Sequence, residues 1–304
     1  MRPVSVKSAV LMLSLLFSGS LFAAEMPVVA SFSILGDVAK QIGGERVAVT
    51  QLVGPDADAH AYRLTGSDVK KIASAKLILL NGLGLEKADI ARSAKQSKVP
   101  YIEAAAGIRA LENDESAPHH HADGHEHDHG RYDPHVWHDP VLMQKYAANI
   151  AKALIQADPA GKDYYQKRFQ AYSAQLKELD AYARKQFGSI PAAHRKVLTG
   201  HHSFSYMGKR YGIRFIAPQG VSTEAEPSAK TVAAIIRQIK QQGLKAVFTE
   251  NIKDGRMVER IAEETGVKVG GKLYSDALSK NAPAKTYAEL FKYNVRVMSQ
   301  AMQK

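Results

Sequence analysis

The chain has 304 residues, of which 45% are hydrophobic and 23% charged, a balance that supports a buried core and excludes a natively disordered chain. It contains no cysteine, which excludes a disulfide framework, thiolate metal ligands, a cysteine nucleophile and a lipid-modified cysteine anchor. The net charge of +11 shows no basic block with interleaved aromatics, so it reads as charge spread over helix surfaces and not as a nucleic-acid groove.

Residues 1–24 read as a secretory signal peptide: Arg2 and Lys7 precede an apolar stretch from Ala9 to Phe22, and Ala23 and Ala24 follow. The stretch falls short of the roughly 20 apolar residues a membrane span needs, and Ser14, Ser18 and Ser20 weaken it further. Cleavage near Ala24 predicts a soluble, periplasmic product, with the charge reduced to +9 by loss of Arg2 and Lys7.

From there short apolar runs alternate with amphipathic stretches, which predicts an α/β protein with mainly parallel sheets. In residues 25–158, a first lobe, the strand candidates are Pro27–Ser31, Val47–Val53, Leu77–Asn81 and Val99–Ile102. In residues 188–304, a second lobe, they are Lys196–Thr199, Arg214–Ala217, Ala246–Thr249 and Val267–Val269. Pro140–Ala157 reads as a helix. Residues 159–187 place Tyr165, Phe169, Tyr172, Leu176 and Leu179 at spacings of three and four, which predicts one long linking helix, a spine of roughly 40 Å at 1.5 Å per residue. Residues 112–130 interrupt the first lobe with ENDESAPHHHADGHEHDHG, a polar loop that cannot bury a core and whose histidines (His119, His120, His121, His125, His127, His129) suit low-affinity metal binding.

The other histidines are better placed for a defined site. His60 follows the strand Val47–Val53, His201 and His202 follow the strand at Val197, and His135 and His138 lie just before the helix at Pro140. Ligands of parallel α/β sheets bind beyond the carboxyl ends of strands. Asp276, beyond the last strand, adds a carboxylate, and three imidazoles with one carboxylate make a complete tetrahedral set for zinc. Each position alone reads as well as a cap or surface group, and chemistry alone does not select four from the set.

The motifs make that selection. GPDADAHAYRLTGSDVKKIASAKLILLNGLGLE, DPHVWHDP, HHSFSYMGKRYG and LYSDALS resemble, in order and across nearly the whole mature chain, the metal-specific substrate-binding proteins of ABC transporters, the zinc and manganese receptors of cluster A-I (ZnuA-like and AztC-like). The resemblance implies two βα lobes joined by one long spine helix, a metal site in the interlobe cleft, and His60, His135, His201 and Asp276 as ligands. Manganese-binding relatives usually carry glutamate at the position of His201, so the resemblance implies Zn²⁺ over manganese, with a receptor for manganese or another divalent metal as the alternative. His138 stands where the family often has an apolar residue, and His202 where aspartate is common, so either is open as a substitute for its neighbour. Asp133, Asp139 and Glu250 are candidates to orient the ligand imidazoles.

The implied partner is the permease of an inner-membrane ABC importer, with a periplasmic zinc chaperone as a further candidate; no nucleic acid is expected, and the chain is expected to be a monomer. A zinc-dependent hydrolase is the rival class, but neither HExxH nor a comparable motif is present. A metal-linked adhesin has no residue signal of its own. Ligand histidines bind when neutral, so at ordinary histidine pKa values affinity is expected to fall below about pH 6.5.

Overall fold

The structure, a computed structural model, describes residues 25–113 and 130–303. The signal peptide and the six loop histidines assigned above lie outside the described residues. In the first lobe, β1 (Met26–Phe32), β2 (Val47–Val53), β3 (Leu77–Leu80) and β4 (Tyr101–Glu103) form a parallel sheet in the order β2-β1-β3-β4. In the second, β5 (Lys196–Leu198), β6 (Arg214–Ile216), β7 (Ala246–Glu250) and β8 (Val269–Leu273) repeat that pattern in the order β6-β5-β7-β8. The central strands β3 and β7 are buried along their whole length, as expected where helices cover both faces of a parallel sheet.

Helices α1 (Ser33–Gly43), α2 (Gly66–Ser74) and α3 (Ala88–Gln96) belong to the first lobe, followed by α4 (Pro140–Ala157). Asp139 caps α4, its Oδ1 accepting from the Val141 N–H at 2.8 Å, with Pro140 in the first turn where its missing N–H costs nothing. Pro159–Gly161 form one 3₁₀ turn before the spine, α5 (Lys162–Gly188), begins. Its buried stripe is Tyr165, Tyr172, Leu176, Leu179, Ala183 and Phe187, with Phe169 only partly covered. The second lobe adds α6 (Ser205–Tyr211), α7 (Ala229–Gln242), α8 (Arg256–Thr265) and α9 (Tyr287–Gln303). Among the described residues no helix is long and apolar enough to cross a membrane.

One core runs through both lobes. Val28 and Ile34 of the first lobe, Phe248 and Phe291 of the second, Tyr146 of α4 and Leu176 of α5 all belong to the same buried cluster. Helix α9 reaches back to the first lobe, where the Tyr287 N–H donates to Asp37 Oδ2 on α1 at 2.8 Å and the Tyr287 hydroxyl donates to the Trp137 carbonyl at 2.7 Å. A shared core of this kind resists wide hinging, because opening it exposes apolar area at about 25 cal/mol per Å².

Candidate metal centre

In each sheet the strand order reverses between the two central strands, and that crevice is where a parallel sheet offers a ligand its loops. In the first lobe, Asn81 directly follows β3 there; its side-chain amide donates to the Pro134 carbonyl at 3.2 Å and seats the segment carrying His135. The loop after β2 brings His60 alongside, with the His60 N–H donating to Asp58 Oδ1 at 2.9 Å. In the second lobe, His201 follows β5 and Glu250 is the last residue of β7, so the two central strands deliver them side by side. Gly200 permits this approach, since a Cβ there would stand 3.1 Å from Glu250 Oε1.

Asp276 follows β8. The Asn294 side chain on α9 holds the preceding turn by bonding both the N–H and the carbonyl of Tyr274, at 3.0 and 2.7 Å. The Trp137 indole N–H donates across the lobes to the Ser275 carbonyl at 2.8 Å.

These elements bring His60, His135, His201 and Asp276 together, with one donor atom of each lying within 4.8 Å of every other. His60 Nε2 stands 3.2 Å from His135 Nε2 and 3.4 Å from Asp276 Oδ2. Asp276 also lies 3.5 Å from His135 Nε2 and 3.0 Å from His201 Nε2. A tetrahedral zinc ion with arms of 2.0–2.1 Å requires donors about 3.3 Å apart, the middle of this range. All four side chains are at most 5% exposed. Unpartnered buried carboxylates are costly, so converging imidazoles around one carboxylate make sense chemically as a cation-binding cage.

Two of the imidazoles are oriented in the same way. Asp133 Oδ1 accepts from the His135 N–H at 2.9 Å and contacts its ring Nδ1 at 2.7 Å. Glu250 Oε1 accepts from the His201 N–H at 3.0 Å while Oε2 contacts its ring Nδ1 at 2.5 Å. Each carboxylate fixes backbone and ring together and leaves Nε2 facing the cage. Burial opposes a charge on His135, yet the carboxylates of Asp276 and Asp133 outweigh it and raise its pKa to about 9. Burial likewise opposes a charge on His201, and Glu250 and Asp276 raise it well above the ordinary histidine value. Against its own burial, Asp276 is held well below the usual carboxylate range by the His201 and His135 rings.

Asp139, a candidate to orient a ligand, instead caps α4 and pairs with Arg210 at 3.2 Å. His202 lies outside the cage, in a cleft of about 640 Å³ shared with Arg109, Asn113 and Asp133. His138 is also outside the cage. It is fully buried, its ring packs on Phe204 at 4.2 Å between centroids, and neither ring nitrogen has a hydrogen-bond partner among the described residues. Burial, with His135 nearby, drives its pKa down to about 3, so it is a neutral packing residue. Replacing His138 with leucine removes two unsatisfied polar atoms and is expected to stabilise the fold by about 1–3 kcal/mol with metal affinity unchanged. Chemical denaturation together with a metal titration checks this, and a weaker-binding variant would give the imidazole a part in the site.

The residues not foreseen from sequence are Asp58, Asn81 and the Trp137–Ser275 contact. A signal for the first was present: Asp58-Ala59-His60 and Asp133-Pro134-His135 share the spacing in which a carboxylate reaches a backbone N–H two residues on.

Comparison with known proteins agrees with this geometry. The family described as "ZnuA: Zinc-uptake complex component A periplasmic" matches residues 28–301. The chain belongs to this family. Its members are substrate-binding components of ABC transporters and not enzymes. Similar curated proteins include the metal ABC transporter substrate-binding lipoprotein SloC of Streptococcus mutans, 30% identical over 89% of this chain and 88% of its own. The iron-binding protein YfeA of Yersinia pestis is 33% identical over 90% and 85%, and the manganese-binding lipoprotein MntA of Bacillus subtilis is 31% identical over 91% and 90%. Among solved structures, the periplasmic zinc-binding protein TroA of Treponema pallidum superposes with a TM-score of 0.84 at 29% identity, covering 92% of this chain and all of TroA. The relatives are thus named for different metals: iron, manganese and zinc.

Proposed function

We propose that this protein is a periplasmic zinc receptor that binds one Zn²⁺ through His60, His135, His201 and Asp276 and delivers it to the permease of an inner-membrane ABC importer. The observation that carries this reading is the buried convergence of three imidazoles and one carboxylate from both lobes, at separations that suit a tetrahedral ion. Imidazole-rich ligation favours zinc over manganese, which suits oxygen-rich sites. Four protein donors leave no position to activate water, as befits capture and handover and not hydrolysis. Several relatives carry the word lipoprotein in their names, whereas this chain has no cysteine to acylate and is read as soluble after export.

The test is metal analysis of protein purified without added metal, followed by competition between zinc and manganese and by the same titration on His60→Ala. Zinc retained against excess manganese, with His60→Ala losing tight binding, is the expected result. Preferential manganese or iron retention would reassign the cargo, and unchanged binding in His60→Ala would remove His60 from the site. Trp137, the single tryptophan, has its ring 5.1 Å from that of His135 and offers a fluorescence readout. The histidines at 119–121, 125, 127 and 129 are read as a low-affinity collector. Deleting residues 118–129 should therefore slow zinc capture from a donor while leaving the equilibrium affinity nearly intact, and a large loss of affinity would contradict that role.

A further inference from the structure

The loop that carries His60 does more than present a ligand. Its two aspartates reach two separate loops of the second lobe. Asp56 bonds the loop after Asp276: its N–H donates to the Leu278 carbonyl at 2.8 Å, and its Oδ2 accepts from the Lys280 N–H at 3.1 Å and the Ser279 hydroxyl at 3.3 Å. Asp58 divides its carboxylate between lobes, Oδ1 taking the His60 N–H at 2.9 Å and Oδ2 the Thr223 hydroxyl at 2.6 Å. The Thr223 loop also abuts His201, which bridges to Gln219, and it is tied to the first lobe again by the Lys87–Glu224 ion pair.

We propose that Asp56 and Asp58 form a clasp between the lobes that sets how fast the bound ion leaves. The proposal rests on the four-ligand reading above. All four ligand side chains are at most 5% exposed, so the ion cannot depart until an adjoining loop moves. The loops that flank His201 and Asp276 are the ones these carboxylates hold. The single Asp58 carboxylate fixes both the backbone of one ligand and the opposing loop, so loosening the lobes also loosens His60. Asp56 adopts φ 59°, a left-handed conformation that aspartate and asparagine tolerate far better than alanine.

Two variants outside the ligand set test this. Thr223→Val keeps shape and deletes one hydrogen bond to Asp58; Asp56→Asn keeps the left-handed turn and removes a charged acceptor. Zinc is loaded, a strong chelator is added, and release is followed by stopped flow through Trp137. Each substitution is expected to speed release about fivefold to tenfold, and the pair about 30-fold or more, from the usual net strength of a single hydrogen bond. The melting temperature of the zinc-loaded variants should fall more than that of the metal-free ones. Wild-type release rates in both variants would overturn the clasp, as would equal destabilisation with and without zinc, which marks a merely structural contact. A wild-type chain that takes up no zinc would instead sink the four-ligand reading and the clasp with it.

Discussion

Asp276→Asn is expected to weaken zinc binding at least about 100-fold, because even the partners that orient ligands are worth 10–100-fold and Asp276 is the only anion among the four proposed donors. An asparagine oxygen keeps the shape but lacks the charge that offsets a divalent ion in a site closed to water. The same change acts on the metal-free protein in a pH-dependent way. His135 has its pKa raised to about 9 in the folded chain, so the stability it gains from the carboxylates is present in full below the unfolded value near 6.5 and is lost as pH rises through about 9. The melting temperature of Asp276→Asn without metal should therefore lie furthest below wild type near pH 6, and the gap should narrow as pH rises through about 9. Calorimetric titration and thermal melts across that range measure both effects. Wild-type affinity in the variant would remove Asp276 from the cage.

The β-sheets were legible because fully buried parallel strands appear as short unbroken apolar runs, and the observed β2 has the same bounds as the predicted strand. The last strand was not placed correctly. The apolar signal lies at Val267–Val269, but the strand runs Val269–Leu273, where Gly270 and Gly271 hide it and a register shift against β7 accompanies them. Asp139 departs from the expected orienting role for a local reason: an aspartate followed by proline is a helix-start signature, and in this structure that role uses its side chain. His60, His135, His201 and Asp276 were not separable from His138 and His202 by chemistry alone, since neighbours in sequence share composition and differ only in direction. Backbone geometry decides that direction. Asp133 and Glu250 clamp His135 and His201 toward the cage, while His138 is packed into the core against Phe204. The interlobe bonds of Asp56, Asp58 and Trp137 join residues more than 130 positions apart and leave no periodic trace in the sequence.

Zinc binding at pH 7 is expected to release about one to two protons, measurable as a dependence of calorimetric heat on buffer ionisation enthalpy. With ordinary histidine pKa values the three imidazoles together would release only about 0.7 proton, and affinity would fall only below about pH 6.5. The structure moves that window upward. Carboxylates touch His135 and His201 on two sides, through Asp133 or Glu250 at Nδ1 and Asp276 at Nε2, and they raise both imidazoles despite burial. A metal-free cage at neutral pH then already holds positive charge beside Asp276, and the arriving ion must displace those protons before the Nε2 lone pairs can bind it. Affinity should consequently climb through the neutral range toward pH 9, by about tenfold per pH unit for each proton displaced. The carboxylates thereby act in two opposed ways: they hold the empty cage together through charge, and they make filling it sensitive to mild acid. A flat affinity between pH 6.5 and 8, or heats independent of buffer, would show that both imidazoles are already neutral before the metal arrives.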